Sequence, residues 1–135
     1  MNTTTKTLAL LLFTVAASLG CEARKRRRAA YEEAKTAVTN VEKALGQKLQ
    51  TDGRFCPAPK DASDPGWKCI GITAAGTYCQ YAYTTNDKED ADAEAMLTAT
   101  CDPNKDGKEL KFTLKVKGTL TGDVQRLSID QPPPP

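Results

Sequence analysis

The sequence predicts an α+β domain, a long N-terminal amphipathic helix packed on an antiparallel sheet of about four strands. Three observations carry this expectation. An apolar stripe at helical spacing runs through residues 29–50. Two-residue alternation then appears in "YCQYAYTT" (78–85) and "AMLTATC" (95–101). It is cleanest in "ELKFTLKV" (109–116).

The stripe consists of Tyr31, Ala34, Val38, Val41, Leu45 and Leu49, at spacings of 3, 4, 3, 4 and 4. Lys35, Asn40, Glu42, Lys43 and Lys48 lie off it. Such a stripe is one apolar face of a surface helix. "TDGR" (51–54) supplies Asp-Gly as its stop. Residues 55–76 come next as a connecting region without periodicity, in which "CIGI" (69–72) reads as a short strand. The strand at 109–116 places Leu110, Phe112, Leu114 and Val116 on one face, with Lys111, Thr113 and Lys115 on the other. "DVQRLSI" (123–129) is the final strand, after turns at Gly118 and Gly122. The tail "QPPPP" (131–135) is polyproline. The expected organisation is a signal peptide (1–20), a lipidated basic segment (21–28), the folded domain (29–130) and the proline tail (131–135).

Beyond Cys21 the chain has four cysteines, Cys56, Cys69, Cys79 and Cys101. An even number in a small exported domain reads as a disulfide framework with three connectivities. No pair has Cys-x-x-Cys spacing, which argues against a redox motif and a four-cysteine zinc site. Strand register selects the pairing. Folding 78–85 against 95–101 so that Cys79 faces Cys101 also sets Tyr81 against Ala99 and Tyr83 against Leu97, all on one face. Gln80, Thr84, Thr98 and Thr100 fall on the other. Cys56 is left to pair with Cys69.

Charge is nearly balanced, with 19 Lys+Arg against 17 Asp+Glu, but its distribution is not even. Arg24, Lys25, Arg26, Arg27 and Arg28 are consecutive, whereas residues 29–135 carry 13 bases and 16 acids. A nucleic-acid-binding domain spreads its bases over a folded face, so no nucleic-acid partner is expected. Histidine is absent, which removes the commonest general base and metal ligand. A Ser-His or Cys-His site cannot exist within the chain, and the expectation is a protein that is not an enzyme.

Residues 8–20, "LALLLFTVAASLG", form a run of 13 without a charge. A spanning helix needs about 20 apolar residues, so the run fits the core of a secretory signal. "SLGC" resembles the lipobox of bacterial lipoproteins, in which Cys21 becomes the first residue and its thiol is acylated. The pattern prefers an aliphatic residue where Ser18 stands. The five bases after it resist export by the positive-inside tendency, and a short anchor with these bases on the cytoplasmic side is the rival reading. On the exported side they form a membrane-surface patch against anionic headgroups. The expected localisation is the bacterial cell envelope, lipid-anchored, on its periplasmic or surface face.

The order of features resembles type IV pilins and the pseudopilins of type II secretion. "RKRRRAAYEEAKTAVTNVEKALGQKLQTDGRFCP" resembles the pilin helix continuation, and "WKCIGI" the start of the pilin body. "YCQYAYTT" resembles its Tyr-rich strand, and "ATCDPNKDGKELKFTL" its turn into the next strand. The likeness covers about residues 24–120. It departs at the leader, where a pilin has Gly followed by Phe or Met, a Glu five residues in and a long apolar span. The resemblance implies a pilin-like domain tethered by lipid, with a structural or interaction role in a pilus or secretion-type apparatus. Its partners would be membrane lipid through Cys21 and an envelope protein such as a pilin-like subunit.

The alternative is a small envelope binding module, calcium-dependent, with pilin likeness in fold only. "DPNKDG" (102–107) sets Asp102, Asn104 and Asp106 at alternate places before Gly107, the first half of a calcium loop, with Glu109 nearby. Thr113 occupies the place of the bidentate Glu, which excludes an EF-hand. A plain turn uses the same residue types. The acidic stretch with Asp87, Glu89, Asp90, Asp92 and Glu94 reads as solvated surface, and Trp67, Tyr78, Tyr81 and Tyr83 read as core.

Overall fold

The computed structural model describes residues 20–135 with their side chains. The predicted signal peptide therefore lies, except for Gly20, outside the described residues. Helix α1 spans Asn2–Asp52. It is followed by a short helix α2 (Gly66–Ile70), then β1 (Cys79–Thr85), a 3-10 turn (Asp90–Asp92), β2 (Glu94–Cys101), β3 (Leu110–Gly118) and β4 (Val124–Asp130). The strands form one antiparallel sheet in the order β1-β2-β3-β4. The fold is α+β, a long helix laid across a four-stranded antiparallel sheet.

All six stripe residues, Tyr31 through Leu49, are buried. They meet the inner face of the sheet, where Leu97, Ala99, Leu110, Phe112, Leu114 and Val116 are also buried. The Tyr31 and Phe112 rings sit 5.4 Å apart in a tilted arrangement. Gly53 ends the helix at φ 69°, and its N–H donates to the Leu49 carbonyl at 2.8 Å. This is the left-handed stop that Asp-Gly offers, and glycine adopts it without strain.

The β1–β2 register pairs Cys79 with Cys101, Tyr81 with Ala99 and Tyr83 with Leu97. Both disulfides, Cys56–Cys69 and Cys79–Cys101, are formed. The remaining strand carries an irregularity. Lys115 pairs with Ser128 and Val116 with Arg126, so Leu127 is the extra residue of a β-bulge. Strict alternation would send Val124 and Ile129 to opposite faces. The bulge lets both pack toward the core and leaves Leu127 outside, 49% exposed.

One expectation is corrected. "CIGI" is not a strand, because residues 66–70 form a single helical turn. Asp64 initiates it by accepting the Gly66 N–H at 2.7 Å, and Gly71 closes it at φ 86°. Five residues are too few to display a helical period. The turn nevertheless buries Trp67 and Ile70 on one side, three positions apart.

The direction of the strands gives the domain two ends. The β2–β3 turn (102–109) lies beside the start of the described helix. The β1–β2 loop (86–93) and β3–β4 turn (119–123) lie beside its end. The Asp90 N–H donates to the Gly53 carbonyl at 2.9 Å, and the Gly118 N–H to Ala93 at 2.9 Å. A Cβ at Gly118 would run into the Asp90 carbonyl oxygen, so β3 can reach this loop only as glycine.

Candidate functional site

The residues with a chemical or binding expectation gather at the start of the described helix. Cys21 carries a free thiol and is exposed. Arg24, Lys25 and Arg28 are exposed as well, while Arg26 and Arg27 are partly buried. The helical period explains this division. At 100° per residue, Cys21, Arg24, Lys25 and Arg28 share one flank, being three, four and seven positions apart. Arg26 and Arg27 share the other flank with Ala30 and Ala34, the first core positions.

Arg26 and Arg27 close a clasp on the β2–β3 turn. Arg26 Nε donates to Asn104 Oδ1 at 2.8 Å, and an Arg27 guanidinium N–H donates to the Lys108 carbonyl at 3.1 Å. Asn104 Nδ2 in turn donates to the Ala23 carbonyl at 3.2 Å. The basic segment is thus two groups of different role, three solvent-facing cations and two that fasten the helix to the sheet. A further clasp about two turns along was not legible in the sequence. Glu33 accepts the backbone N–H groups of Thr77 at 2.6 Å and Tyr78 at 3.1 Å, fixing the approach to β1. No local pattern announces such bonds, whose partners are more than 40 positions apart.

The residues of the calcium expectation are engaged otherwise. Asp102 accepts the N–H groups of Asp106 and Gly107, each at 3.2 Å. Asp106 accepts the Lys108 N–H at 3.0 Å, and this bond holds its carboxyl below the ordinary carboxylate range. Asn104 faces the helix. Each side chain thus has a structural partner in a turn with Lys105 and Gly107 at positive φ. Among the described residues, no group of three or more His, Cys, Asp or Glu side chains is placed to hold a metal ion.

The aromatic residues divide between core and half-buried positions. Trp67 is buried, and its indole N–H donates to the Asp61 carbonyl at 2.9 Å. Tyr83 is buried and its hydroxyl donates to the Cys56 carbonyl at 2.8 Å, tying β1 to the disulfide-closed connecting region. Tyr78 and Tyr81 are only half-buried at the edge of the core. Burial, reinforced by the Glu33 charge, pushes the Tyr81 phenol up to about 12, and burial pushes that of Tyr83 higher still. A phenol whose folded pKa is raised keeps its proton after the unfolded chain has begun to lose its own. The fold is fully stable in this respect below about pH 10 and loses stability as pH rises from there. Denaturant midpoints between about pH 9 and about pH 11.5 should fall with pH, and Tyr83→Phe should flatten the fall. An unchanged slope in that variant would remove Tyr83 from the account.

In the acidic stretch, Glu89 forms an ion pair with Arg54. Asn86 organises the loop by accepting from the Glu94 N–H at 2.9 Å and donating to the Asp92 carbonyl at 2.8 Å. The outer face of the sheet is open and rich in threonine. A groove of about 380 Å³ crosses it, lined by Thr84, Met96, Lys115 and Leu127 among others. Among the described residues no helix is long and apolar enough to cross a membrane. Comparison with protein-family models, with curated proteins and with solved structures finds no match.

Proposed function

We propose that this chain is a cell-envelope lipoprotein, attached through an acylated Cys21, whose pilin-like domain serves as a structural or interaction module and not as an enzyme. The observation that carries the reading is the placement of Cys21. It is an exposed free thiol on a helix that continues without interruption into the core, on the same flank as Arg24, Lys25 and Arg28. Nine residues, roughly 13 Å of helix, separate it from the buried Ala30. An acyl chain there lies close to the domain, and the three cations of that flank fall at headgroup level.

Two further features favour the reading. The disulfides suit an oxidising compartment outside the cytosol. The helix laid across a four-stranded antiparallel sheet, with the bridged connecting region between them, is the arrangement that the resemblance to pilins and pseudopilins implies. Such a domain on a lipid tether suits contact with an envelope apparatus, including its pilin-like subunits.

Metabolic labelling with palmitate in a bacterial host tests the anchor. Wild-type protein should incorporate label and migrate with membranes, and Cys21→Ser should do neither. Equal labelling of the two proteins refutes acylation at Cys21.

A further inference from the structure

We propose that the end of the molecule bearing Cys21 is a docking surface for an anionic lipid bilayer, formed by Arg24, Lys25 and Arg28 of α1 with Lys105 and Lys108 of the β2–β3 turn. Docking there holds the domain upright, with the 86–94 and 119–123 loops directed away from the membrane. This rests on the membrane attachment proposed for Cys21, but not on its chemistry. An acylated Cys21 and an uncleaved apolar leader bring the same surface to the headgroups.

The first support is the polarity of the domain. The basic segment and the β2–β3 turn, residues 21–28 and 102–109, carry seven cations against four carboxylates. The helix end and the loops beside it, residues 48–54, 86–94 and 119–123, carry seven carboxylates against three cations. An anionic surface attracts the first end and repels the second, and the attraction acts within a Debye length of the headgroups. That separation orients the domain as well as binding it.

The second support is rigidity. Cations on a flexible tether bind a bilayer without orienting the domain attached to them. Here the Arg26–Asn104 and Arg27–Lys108 bonds, with the return bond from Asn104 to Ala23, join the helix to the turn. Lys105 and Lys108 are therefore held at the same end as Arg24, Lys25 and Arg28, and all five are exposed. Asp102 and Asp106 keep their charge while accepting backbone N–H groups of the turn, and with Glu22 and Glu109 they still leave this end with three more cations than carboxylates. Glu22 lies 3.7 Å from Lys25, an exposed pairing that an anionic headgroup can replace.

The test uses the full chain and two kinds of vesicle, phosphatidylcholine alone and phosphatidylcholine with phosphatidylglycerol. The ratio of partitioning into the two reports the cations, and partitioning into the neutral vesicle reports the anchor. Each surface cation should raise the ratio about fivefold. Arg24→Gln/Lys25→Gln/Arg28→Gln should lower it on the order of 100-fold, and Lys105→Gln/Lys108→Gln about 25-fold. Lysine acetylation on anionic vesicles should be slowed at Lys105 and Lys108 and unchanged at Lys88. A ratio near one for wild type overturns the docking surface, and acetylation of Lys105 and Lys108 as fast as Lys88 overturns the orientation. Loss of neutral-vesicle binding with the ratio intact counts against the anchor alone and leaves this surface standing.

Discussion

Phe112→Ala should destabilise the domain by about 3–5 kcal/mol, the cost of truncating a large aromatic in a packed core. Phe112 is 1% exposed and stands on the inner face of β3 between Leu110 and Leu114. β3 is paired with β2 at Phe112 and with β4 from Thr113 onward, so its backbone is poorly placed to shift into the space left. The ring also packs 5.4 Å from that of Tyr31, so truncation removes an aromatic pair as well as buried area. Because Tyr31 lies only three residues beyond Arg28, the loss should loosen the helix where it leaves the core. Equilibrium denaturation in urea measures the effect, and amide exchange at residues 26–34 locates it. A loss below about 1 kcal/mol would mean that the helix and sheet are not joined through this pair.

Replacing Cys79 and Cys101 together by alanine should cost about 3 kcal/mol on the chain-entropy account, slightly more than replacing Cys56 and Cys69. The bridges close loops of 22 and 13 positions respectively. Accessibility separates them more sharply. Cys79 and Cys101 are buried on the inner face of the sheet, whereas Cys69 is half-buried at the surface. Thiol exchange requires a reductant to reach a sulfur. Graded reduction of the folded protein, followed by alkylation and mass mapping, should open Cys56–Cys69 first. Opening of Cys79–Cys101 first would show that the sheet edge breathes more readily than the connecting region.

The helix stripe, the alternation of three strands and the pairing of the cysteines were legible in the sequence because each rests on a local period. Tyr31 to Leu49 repeat at the pitch of a helix. Cys79, Tyr81 and Tyr83 match Cys101, Ala99 and Leu97 because period two leaves only registers that keep apolar residues together. Where the period fails, the reading weakens. The bulge at Leu127 breaks alternation, and β4 shows no clean apolar face along the chain. Residues 66–70 fold as a helical turn too short to announce itself, so a segment read as strand is helical.

The candidate site was legible as residue types, and its arrangement was not. That five consecutive bases lie just beyond Cys21 is plain from the sequence, and helical spacing alone places Arg24, Lys25 and Arg28 on the flank of Cys21. That Arg26 and Arg27 fasten the helix to the β2–β3 turn depends on partners about 80 positions away. The same contact decides the role of Asn104, which the sequence left open between a calcium loop and a plain turn and whose amide bonds the helix.

The sequence by itself determined the long helix, the three alternating strands with their apolar faces and which cysteines meet, because backbone geometry makes those properties of neighbouring residues. Only the tertiary structure decided which polar side chains hold the elements together and how charge is divided between the two ends of the domain. Those depend on a hydrogen bond formed within about 3 Å, between groups that chain order leaves far apart.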